Sequence, residues 1–459
     1  MAAQSRLLIK GGTVVTAVDG DRPRRADILV EGGVIAAIES DLDVDAQLID
    51  ASHCVVLPGL IDTHRHTWQT ALRGVTHEWT LKDYIRGIRL QSAKYYRPQD
   101  IYIGNRLGML EAIDAGVTTV LDFCHCINSP KHASEALRGT RDSGIRSIFA
   151  LGFNHVPLEN PYFTTLESRL DHARRFLKEE FPDDDGLVRM GIALSDMEVG
   201  GLDAILTQAR FAHDLGVPIT LHADAVISEN FISIVDELSK NNVIGPGMVW
   251  VHMNFASLEQ TREVIEKGGA VSVTPETEMQ MGMGYPAFGK VLAAGGHPSL
   301  GVDVVCNNSG DILTQARLAL QTQRMLDHQD DVRRSHGPDT VELKTPTALR
   351  AATLSGAEAL GLGEKVGSLQ VGKAADIITV RTDAINTAPS YDPIGTFVLQ
   401  SHPGNIDTVL VEGQVLKRGG KLVQDIAPLR AQLEDSAAYL FEEIERTGGL
   451  IPQPPIPLW

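Results

Sequence analysis

The chain has 459 residues, of which 43% are hydrophobic and 22% charged, a composition typical of a folded globular protein with a large core. Acidic side chains outnumber basic ones by 59 to 41, and this excess argues against nucleic-acid binding, which normally needs a basic surface. No apolar run approaches the roughly 18 residues of a membrane span, and no apolar segment typical of a signal peptide follows the start. We therefore expect a cytoplasmic protein with neither a membrane nor a nucleic-acid partner.

Short β-type segments occur at the two ends of the chain. The first are LLIKGGTVVTAVDG, RRADILVEGGVIAAIES and AQLIDASHCVVLPG, rich in Val and Ile and punctuated by Gly and Asp. The same pattern returns after residue 366, in GSLQVGKAADIITVRTD and IDTVLVEGQVLKRGGKLV. We predict one composite β-sandwich built from residues 1–57 and 363–425, with the middle of the chain as an insertion.

The middle, residues 58–362, alternates apolar runs with helical segments that end in glycine, such as LDAILTQARFAHDLG. The eight apolar runs are LPGLIDTH and those near residues 117–122, 145–151, 188–194, 218–222, 248–252, 270–274 and 298–303. Strands separated by helices imply parallel pairing, and eight such units close a (β/α)8 TIM barrel. The alternative, an open doubly wound dinucleotide-binding sheet, would need a glycine-rich turn where this first strand ends in HRH.

Side chains that can bind a metal stand at four of the eight strand ends. His64 and His66 end the first strand, and their i, i+2 spacing projects both imidazoles to the same side. His222 ends the fifth strand, His252 the sixth and Asp303 the eighth. Because the carboxyl ends of barrel strands meet at one face, we expect these side chains to converge. Three imidazoles and a carboxylate suit one divalent ion, with zinc preferred over iron, cobalt or manganese.

This order of ligands, inside a barrel enclosed by a two-ended β-sandwich, resembles the amidohydrolase superfamily. The segment AATLSGAEALGLGEKVGSLQVGKAADIITV also resembles that family's exit from barrel to sandwich. The branch it resembles most contains triazine chlorohydrolases, guanine and cytosine deaminases, and phenylurea and molinate hydrolases. The resemblance implies that His64, His66, His222 and Asp303 bind the metal, that His252 contacts the substrate or the attacking water, and that the protein forms a homo-oligomer.

Two departures from that family pattern bear on the chemistry. Binuclear members bridge two metals with a lysine or glutamate of the fourth strand, which here ends in ALSDMEVGG. We therefore expect a mononuclear centre. Asp196 and Glu198 are the residues that could take the place of the bridging lysine or glutamate in a binuclear alternative. Deaminases of the branch also carry a glutamate three residues after the fifth-strand histidine, where it protonates a ring nitrogen, and Ala225 stands there in this sequence. The seventh strand, VSVTPETEMQMG, likewise lacks the His-x-Pro-x-Ser-Asn pattern of many aminohydrolases.

The remaining groups suffice for hydrolysis of a C–N bond in an acyclic substrate. A metal-activated water would attack, Asp303 would carry its proton to the leaving nitrogen, and His252 would donate to the developing oxyanion. We therefore expect a small urea, amide or (thio)carbamate substrate of phenylurea type. The alternative is an aminohydrolase or chlorohydrolase acting on a purine, pterin or triazine ring, with the missing proton carried by Asp224, Glu276 or Glu278.

Substrate contacts are expected mainly in the loop after the first strand. The candidates are Trp68, Gln69, Trp79 and Tyr84 in that loop, Asn154 and His155 after the third strand, and His252. The aromatic residues either roof the pocket, stacking on an aromatic or alkyl group, or simply pack the loop onto the barrel. Gln69 completes an H-x-H-x-x-Q pattern that resembles guanine deaminases, in which the glutamine grips the base, and this supports the ring alternative.

The C-terminal residues 426–459 are predicted to form an amphipathic helix and a proline-rich tail, LIPQPPIPLW. We expect this tail, which ends in Trp459, to cross onto a neighbouring subunit, with disorder as the alternative. The four cysteines are too few and too scattered for a disulfide framework. Cys124 and Cys126, in a CHC triplet between a strand end and a loop, are interpreted as buried thiols rather than metal ligands.

Overall fold

The structure is a computed structural model that describes residues 6–183, 185–226 and 231–451, without the side chains of residues 198 and 199. The middle of the sequence forms an eight-stranded barrel, and the two ends together form a nine-stranded sheet. Two sequence predictions fall outside this description, namely the Glu198 side chain as a metal ligand and the tail that ends in Trp459.

The first five strands form the N-terminal part of the nine-stranded sheet. They are β1 (Arg6–Val14), β2 (Arg24–Glu31), β3 (Val34–Glu39), β4 (Gln47–Asp50) and β5 (Cys54–Pro58). Strands β1, β2 and β3 pair antiparallel in that order, whereas β4 and β5 both run parallel to β1. Their apolar side chains, among them Leu7, Ile9 and Ile28, form a core of their own beside the main core of the barrel.

The next eight strands form the barrel. They are β6 (Leu60–Arg65), β7 (Val117–Cys124), β8 (Arg146–Gly152), β9 (Val188–Ala193), β10 (Ile219–Ala223), β11 (Met248–His252), β12 (Ala270–Val273) and β13 (Ser299–Leu300). Each pairs in parallel with the next, and a parallel bridge between Arg65 and Asp303 brings the segment after β13 beside β6. The strands are buried on both faces, which explains why they consist of short continuous apolar runs. The predicted (β/α)8 barrel is confirmed.

Helices follow the strands in the predicted alternation. They are α1 (Leu81–Tyr84), α2 (Pro98–Asp114), α3 (Pro130–Ser143), α4 (Leu166–Glu180), α5 (Met197–Gly200), α6 (Leu202–Leu215), α7 (Ile234–Lys240), α8 (Leu258–Glu266), α9 (Pro275–Gln280), α10 (Phe288–Ala293), α11 (Ile312–Asp327), α12 (Gln329–Arg333), α13 (Thr345–Ala351), α14 (Leu354–Ala359), α15 (Pro393–Gln400) and α16 (Ala427–Arg446). Gly144 and Gly216 end α3 and α6 in the left-handed conformation, with φ of 80° and 68°, which glycine adopts without strain.

The last four strands complete the sheet that the N-terminus begins. They are β14 (Ile377–Arg381), β15 (Ile406–Val411), β16 (Gln414–Arg418) and β17 (Lys421–Leu422). Strand β14 pairs antiparallel with β5, so the order across the sheet is β17-β16-β15-β14-β5-β1-β2-β3, with β4 beside β1. This sheet is the composite β-domain predicted from the two ends of the sequence.

The predicted C-terminal helix is α16, which packs against α2. The Ser436 hydroxyl donates to Asp100 over 2.8 Å, and the Arg97 guanidinium lies 3.5 Å from the centre of the Tyr439 ring. Among the described residues, none of these helices is both long and apolar enough to cross a membrane.

Candidate metal centre and active-site pocket

The predicted ligands meet at the carboxyl end of the barrel. Strand β6 carries His64 and leads directly to His66, β10 carries His222, β11 ends in His252, and Asp303 stands in the segment after β13. The ring centre of His64 lies 4.6 Å from that of His66, 5.1 Å from that of His222 and 5.8 Å from that of His252. Oδ1 of Asp303 lies 3.2 Å from Nε2 of both His64 and His66. We call His64, His66, His222 and Asp303 the metal centre.

The metal centre fits a divalent cation. Donor atoms of His64, His66 and Asp303 all lie within 4.8 Å of one another, and so do those of His64, His222 and His252. Both ring nitrogens of His64 are buried, and neither has a hydrogen-bond partner among the described residues. Burial also lowers the pKa of His64 well below its usual value, so the imidazole is neutral and its lone pair is available. A buried lone pair without a donor is costly unless a cation occupies it.

Three imidazoles of the site are oriented through their Nδ1 atoms. His66 Nδ1 lies 3.0 Å from the Phe123 carbonyl oxygen, and His222 Nδ1 lies 2.7 Å from Oδ1 of Asp196. His252 Nδ1 lies 3.2 Å from Oε1 of Glu278. When Nδ1 donates to an oxygen, Nε2 keeps the lone pair that a metal or a reacting group can use.

The carboxylates at the site are ionised. Burial alone would raise the pKa of Asp303, but the imidazoles of His64 and His66 hold it well below its usual range. Burial would likewise raise the pKa of Asp196, and the Arg89 guanidinium and His222 hold it well below its usual range. The opposite effect acts on His252. Burial disfavours its charge, but Glu278 and Asp303 raise its pKa.

Unusual backbone conformations aim the side chains at the end of the barrel. His252 and Asp303 have φ of 77° and 67°, in the left-handed region that residues other than glycine rarely occupy. The Asp303 amide donates to the His64 carbonyl over 2.8 Å, and the His66 amide donates to the Asp303 carbonyl over 3.0 Å. Gly301 permits this approach, because a Cβ there would lie 2.7 Å from Cβ of His64. The backbone hydrogen bonds that join β6 to the segment after β13 therefore close the barrel and also position His64, His66 and Asp303.

A pocket that opens to solvent lies in front of the metal centre. Its polar side is formed by His66, Arg89, Asp196, His222, Asp224, His252 and Asp303. Its apolar wall is formed by Leu81, Tyr84, Ile85, Met197, Ala225, Val226, Phe231, Ile232, Ile234, Met283 and Val304. A pocket with one polar end and apolar walls suits a flat or alkyl-bearing small molecule whose reacting atom faces the metal centre.

The predicted substrate contacts from the loop after β6 divide into one pocket residue and three supporting residues. Tyr84 lines the pocket, and Gln69 donates to its hydroxyl over 2.6 Å from a fully buried position. Trp68 is also fully buried and donates to Nδ1 of His125 over 2.9 Å. Trp79 packs on Gly87, where a Cβ would lie 2.4 Å from its ring. Trp68 and Trp79 therefore pack the loop, which was the alternative predicted for the aromatic residues, and Gln69 supports Tyr84 from outside the pocket lining.

The two candidates after the third strand also lie away from the pocket wall. Oδ1 of Asn154 accepts a hydrogen bond from the Asp196 amide over 3.0 Å, so Asn154 supports the segment that carries Asp196. His155 is exposed to solvent.

The three acids named as substitutes for the missing glutamate differ in their surroundings. Asp224 accepts hydrogen bonds from the Ser233 hydroxyl and the Ile234 amide, 2.6 and 2.9 Å, and so holds the start of α7. Glu276 accepts from Gln315 over 2.8 Å, outside the pocket lining. Of the three, Glu278 is the one that contacts a histidine of the site, because its Oε1 lies 3.2 Å from His252.

Two residues at the site were not identified from the sequence. His125, the middle residue of the CHC triplet, stacks on His66 with 4.2 Å between ring centres. Its position directly after the second barrel strand, β7, is the signal in the sequence that could have identified it. Arg89 pairs with Asp196 over 3.0 Å, and an arginine within an amphipathic loop has no distinguishing pattern. Cys124 and Cys126 are buried and unpaired, as interpreted.

The comparisons with known proteins agree with this geometry. The model of the amidohydrolase family matches residues 55–416. The 5-methylthioadenosine/S-adenosylhomocysteine deaminase of Pyrococcus furiosus is 26% identical over 431 residues, covering 91% of this chain and 96% of the relative. A zinc-bound adenosine deaminase from Xanthomonas campestris has a TM-score of 0.85 at 21% identity, over 95% of this chain and 98% of its own. The zinc complex of an atrazine chlorohydrolase from Arthrobacter aurescens TC1 has a TM-score of 0.81 at 24% identity, over 95% and 100%. The chain belongs to the amidohydrolase family and is a hydrolase that acts on C–N bonds other than peptide bonds.

Proposed function

We propose that the protein is an aminohydrolase that replaces the amino group of a purine-type ring by oxygen and releases ammonia. The preferred substrate class is an adenine nucleoside with a small or apolar 5′ substituent. The relatives support this ring alternative better than the acyclic, phenylurea-type substrate expected from the sequence, because relatives that match almost the whole sequence are named as adenine-nucleoside deaminases. The apolar wall of the pocket suits the face of a purine ring.

One zinc ion, held by His64, His66, His222 and Asp303, is the cofactor that we propose. When bound, such an ion lowers the pKa of a water ligand towards neutrality, which makes a nucleophile available at physiological pH. The observation that carries the proposal is the convergence of four ligands from the ends of two strands, β6 and β10, and from the segment after β13. The ring nitrogens of His64 have no hydrogen-bond partner among the described residues.

The protein's own groups then move the protons. Asp303 is ionised and buried at the centre, so it can take the proton of the attacking water and pass it to the departing amino group. The pKa of His252 is raised beside Glu278 and Asp303, so its ring can carry a proton on Nε2 as well as on Nδ1 and can donate it towards the substrate. Overall, the ring amino group and one water molecule are consumed, and a ring carbonyl and one molecule of ammonia are formed.

The proton for the ring nitrogen needs a different carrier from that of other deaminases of the branch. Ala225 lines the pocket where they place a glutamate, and Asp224 is held by Ser233 and Ile234. Glu278 touches His252, and its Oε2 is buried with no partner among the described residues. We propose that the Glu278–His252 pair supplies this proton and regains one from the hydroxyl group of the tetrahedral intermediate when the ring carbonyl forms.

An acyclic urea or carbamate substrate is the second candidate. Ala225 favours it, because hydrolysis of such a bond requires only the proton that Asp303 carries to the leaving amine. An apolar pocket of this kind also suits an aryl group on the leaving nitrogen.

A substrate panel separates the two candidates. Zinc-loaded protein is incubated with adenosine, 5′-methylthioadenosine, 5′-deoxyadenosine, S-adenosylhomocysteine, guanine, an aryl urea and an aryl carbamate, and ammonia and arylamine are measured separately. We expect ammonia from at least one adenine nucleoside, with the adenine absorbance replaced by that of hypoxanthine, and no turnover by Asp303→Asn. Arylamine release with no ammonia from any purine would overturn the deaminase proposal and establish the second candidate.

A further inference from the structure

Two charged side chains outside the metal centre, Asp196 and Arg89, connect the metal ligand His222 to the turn that lines the pocket after α1. His222 Nδ1 lies 2.7 Å from Oδ1 of Asp196, and the other oxygen of Asp196 lies 3.0 Å from Nη2 of Arg89. Arg89 belongs to the π-helical turn Ile85–Gln91, which follows α1 and lines the pocket. We call this turn the roof of the pocket. We propose that Asp196 and Arg89 are positioning residues that fix the ring of His222 for metal binding.

The tautomer of His222 follows from its contact with Asp196. A carboxylate only accepts hydrogen bonds, so the proton of the neutral ring must sit on Nδ1, which leaves the lone pair on Nε2. Because Asp196 takes Nδ1, Nε2 is the atom of His222 left to bind a metal, and the imidazoles of His222, His64 and His252 offer donor atoms within 4.8 Å of one another. Without Asp196 the ring could rotate or carry its proton on Nε2, and in either case a metal ligand would be lost.

Asp196 is itself held from three directions. Its amide donates to Oδ1 of Asn154 over 3.0 Å, and its two carboxylate oxygens are engaged by His222 and Arg89. With both oxygens in use, Asp196 is not free to bridge two metal ions, which was the role considered for it from the sequence. The same contacts support a mononuclear centre.

Arg89 links this series of groups to the substrate side. Its side chain is 10% exposed, and that of Asp196 is 17% exposed, so their ion pair is largely shielded from water. Charge-assisted pairs of this kind are strong and directional. The π-helical turn is held in turn by the Ser92 hydroxyl, which donates to the Gly87 carbonyl over 2.6 Å. The side chains of Asp196 and Arg89 therefore connect His222 to the roof of the pocket.

Zinc affinity of the full-length protein, measured by competition with a chromogenic chelator, tests this inference independently of any substrate. We expect Asp196→Ala to weaken zinc binding about 10- to 100-fold, the usual effect of losing a carboxylate behind a histidine ligand. Asp196→Asn keeps an accepting oxygen for His222 Nδ1 and should bind zinc at least about threefold more tightly than Asp196→Ala. Arg89→Met should have a smaller effect, and in the Asp196→Ala background no further effect, because it acts through Asp196.

Asp224→Asn is the matched control, since Asp224 is a carboxylate of the same pocket that contacts Ser233 and Ile234 rather than a metal ligand. We expect its zinc affinity to equal that of the wild type. A loss smaller than about fivefold in Asp196→Ala would overturn the proposal, given the usual 10- to 100-fold effect. So would two zinc equivalents in the wild type falling to one in Asp196→Ala, because Asp196 would then be a ligand. Asp196→Asn provides a near-isosteric variant for the case in which Asp196→Ala does not fold.

Discussion

At the scale of single residues, the function depends on which groups near the centre are free to react and which are already engaged. Asp303 touches His64 and His66, whereas the similarly placed Asp224 is used to begin a helix. Both carboxylates line the same pocket. Comparing substitutions of Asp303 and Asp224 therefore distinguishes the loss of a proton carrier from the loss of a negative charge in the pocket.

Asp303→Asn should lower turnover by at least about 10³-fold, because in the proposed mechanism Asp303 is both a metal ligand and the carrier of the water proton. Asp224→Asn should lower it less than about tenfold, since its carboxylate makes local hydrogen bonds to Ser233 and Ile234. Steady-state rates of ammonia release at saturating zinc provide the comparison. Equal loss in the two variants would mean that Asp224 carries a proton, the role that a glutamate has in deaminases of the branch that this sequence resembles.

The pH dependence of stability should contain a contribution from His172. This ring packs between Phe163 and Phe176, and burial together with nearby Arg175 and Arg169 lowers its pKa to about 4. An unfolded histidine titrates near 6.5, so below that pH the unfolded state takes up a proton that the folded state refuses. The stability provided by the neutral ring is therefore complete above pH about 6.5 and is lost as the pH falls towards about 4.

His172→Phe should remove this dependence, reducing the loss of unfolding free energy between pH 6.5 and 4 by on the order of 2 kcal/mol. Urea titrations at several pH values measure it. The exposed His77, changed to Gln, is the control and should keep the wild-type slope. If His172→Phe lost as much stability on acidification as the wild type, the ring would have to be protonated in the folded protein.

The metal centre could be predicted from sequence because each ligand stands where a strand ends, and a barrel brings all strand ends to one face. The residues that orient the ligands could not. Asp196 was considered as a ligand because it follows the fourth strand, but its real partner, Arg89, comes from a loop more than a hundred residues earlier. Gln69 matched a motif, and only the structure shows that it supports Tyr84.

At the scale of elements, the C-terminal segment supports the roof of the pocket. The Tyr95 hydroxyl lies 2.8 Å from Oγ1 of Thr447, just after α16, and Gln91 donates to the same atom over 3.2 Å. A Cβ at Gly87 would lie 3.1 Å from the Leu450 carbonyl, so the backbone after α16 runs directly against the π-helical turn. The sequence predicted the helix but could not show which element its end would contact.

Thr447→Val should loosen this contact. We expect about 1 kcal/mol lower unfolding free energy from the lost hydrogen bonds. We also expect a higher KM with nearly unchanged kcat, because residues of the roof line the pocket and the proposed proton carriers lie elsewhere. Thr207→Val is the control and should leave KM unchanged, because the hydroxyl it removes donates to the Asp203 carbonyl within the same helix. A lower kcat with unchanged KM in Thr447→Val would show that the roof acts on the chemical step instead.

At the scale of the whole molecule, a buried ion pair joins the barrel to the composite sheet. Arg146, the first residue of β8, donates through Nε and Nη2 to the two carboxylate oxygens of Asp376, both at 3.0 Å. Asp376 also accepts from the Glu412 amide over 2.8 Å, next to β15. The alternation of apolar runs and helical segments predicted the barrel, and the similar β-type segments at the two ends of the chain predicted the composite sheet. This cross-link did not, because no local pattern pairs residues 230 positions apart.

Asp376→Ala should destabilise the protein by about 3–5 kcal/mol, because the buried Arg146 charge would keep only the 3.8 Å contact with Glu412. Arg146→Met should cost less, and the double variant should cost less than the sum of the two single ones. Thermal or urea unfolding measures all three. Additive effects would contradict the direct coupling between barrel and sheet.

The metal content of the full-length protein, measured after chelation and reloading with Zn²⁺, tests the central claim most directly. The account predicts about one equivalent in the wild type and a large loss in His64→Asn, because His64 belongs to both groups of converging donor atoms. Less than about half an equivalent in the reloaded wild type, or full zinc retention in His64→Asn, would contradict the metal centre and with it the proposed hydrolytic mechanism.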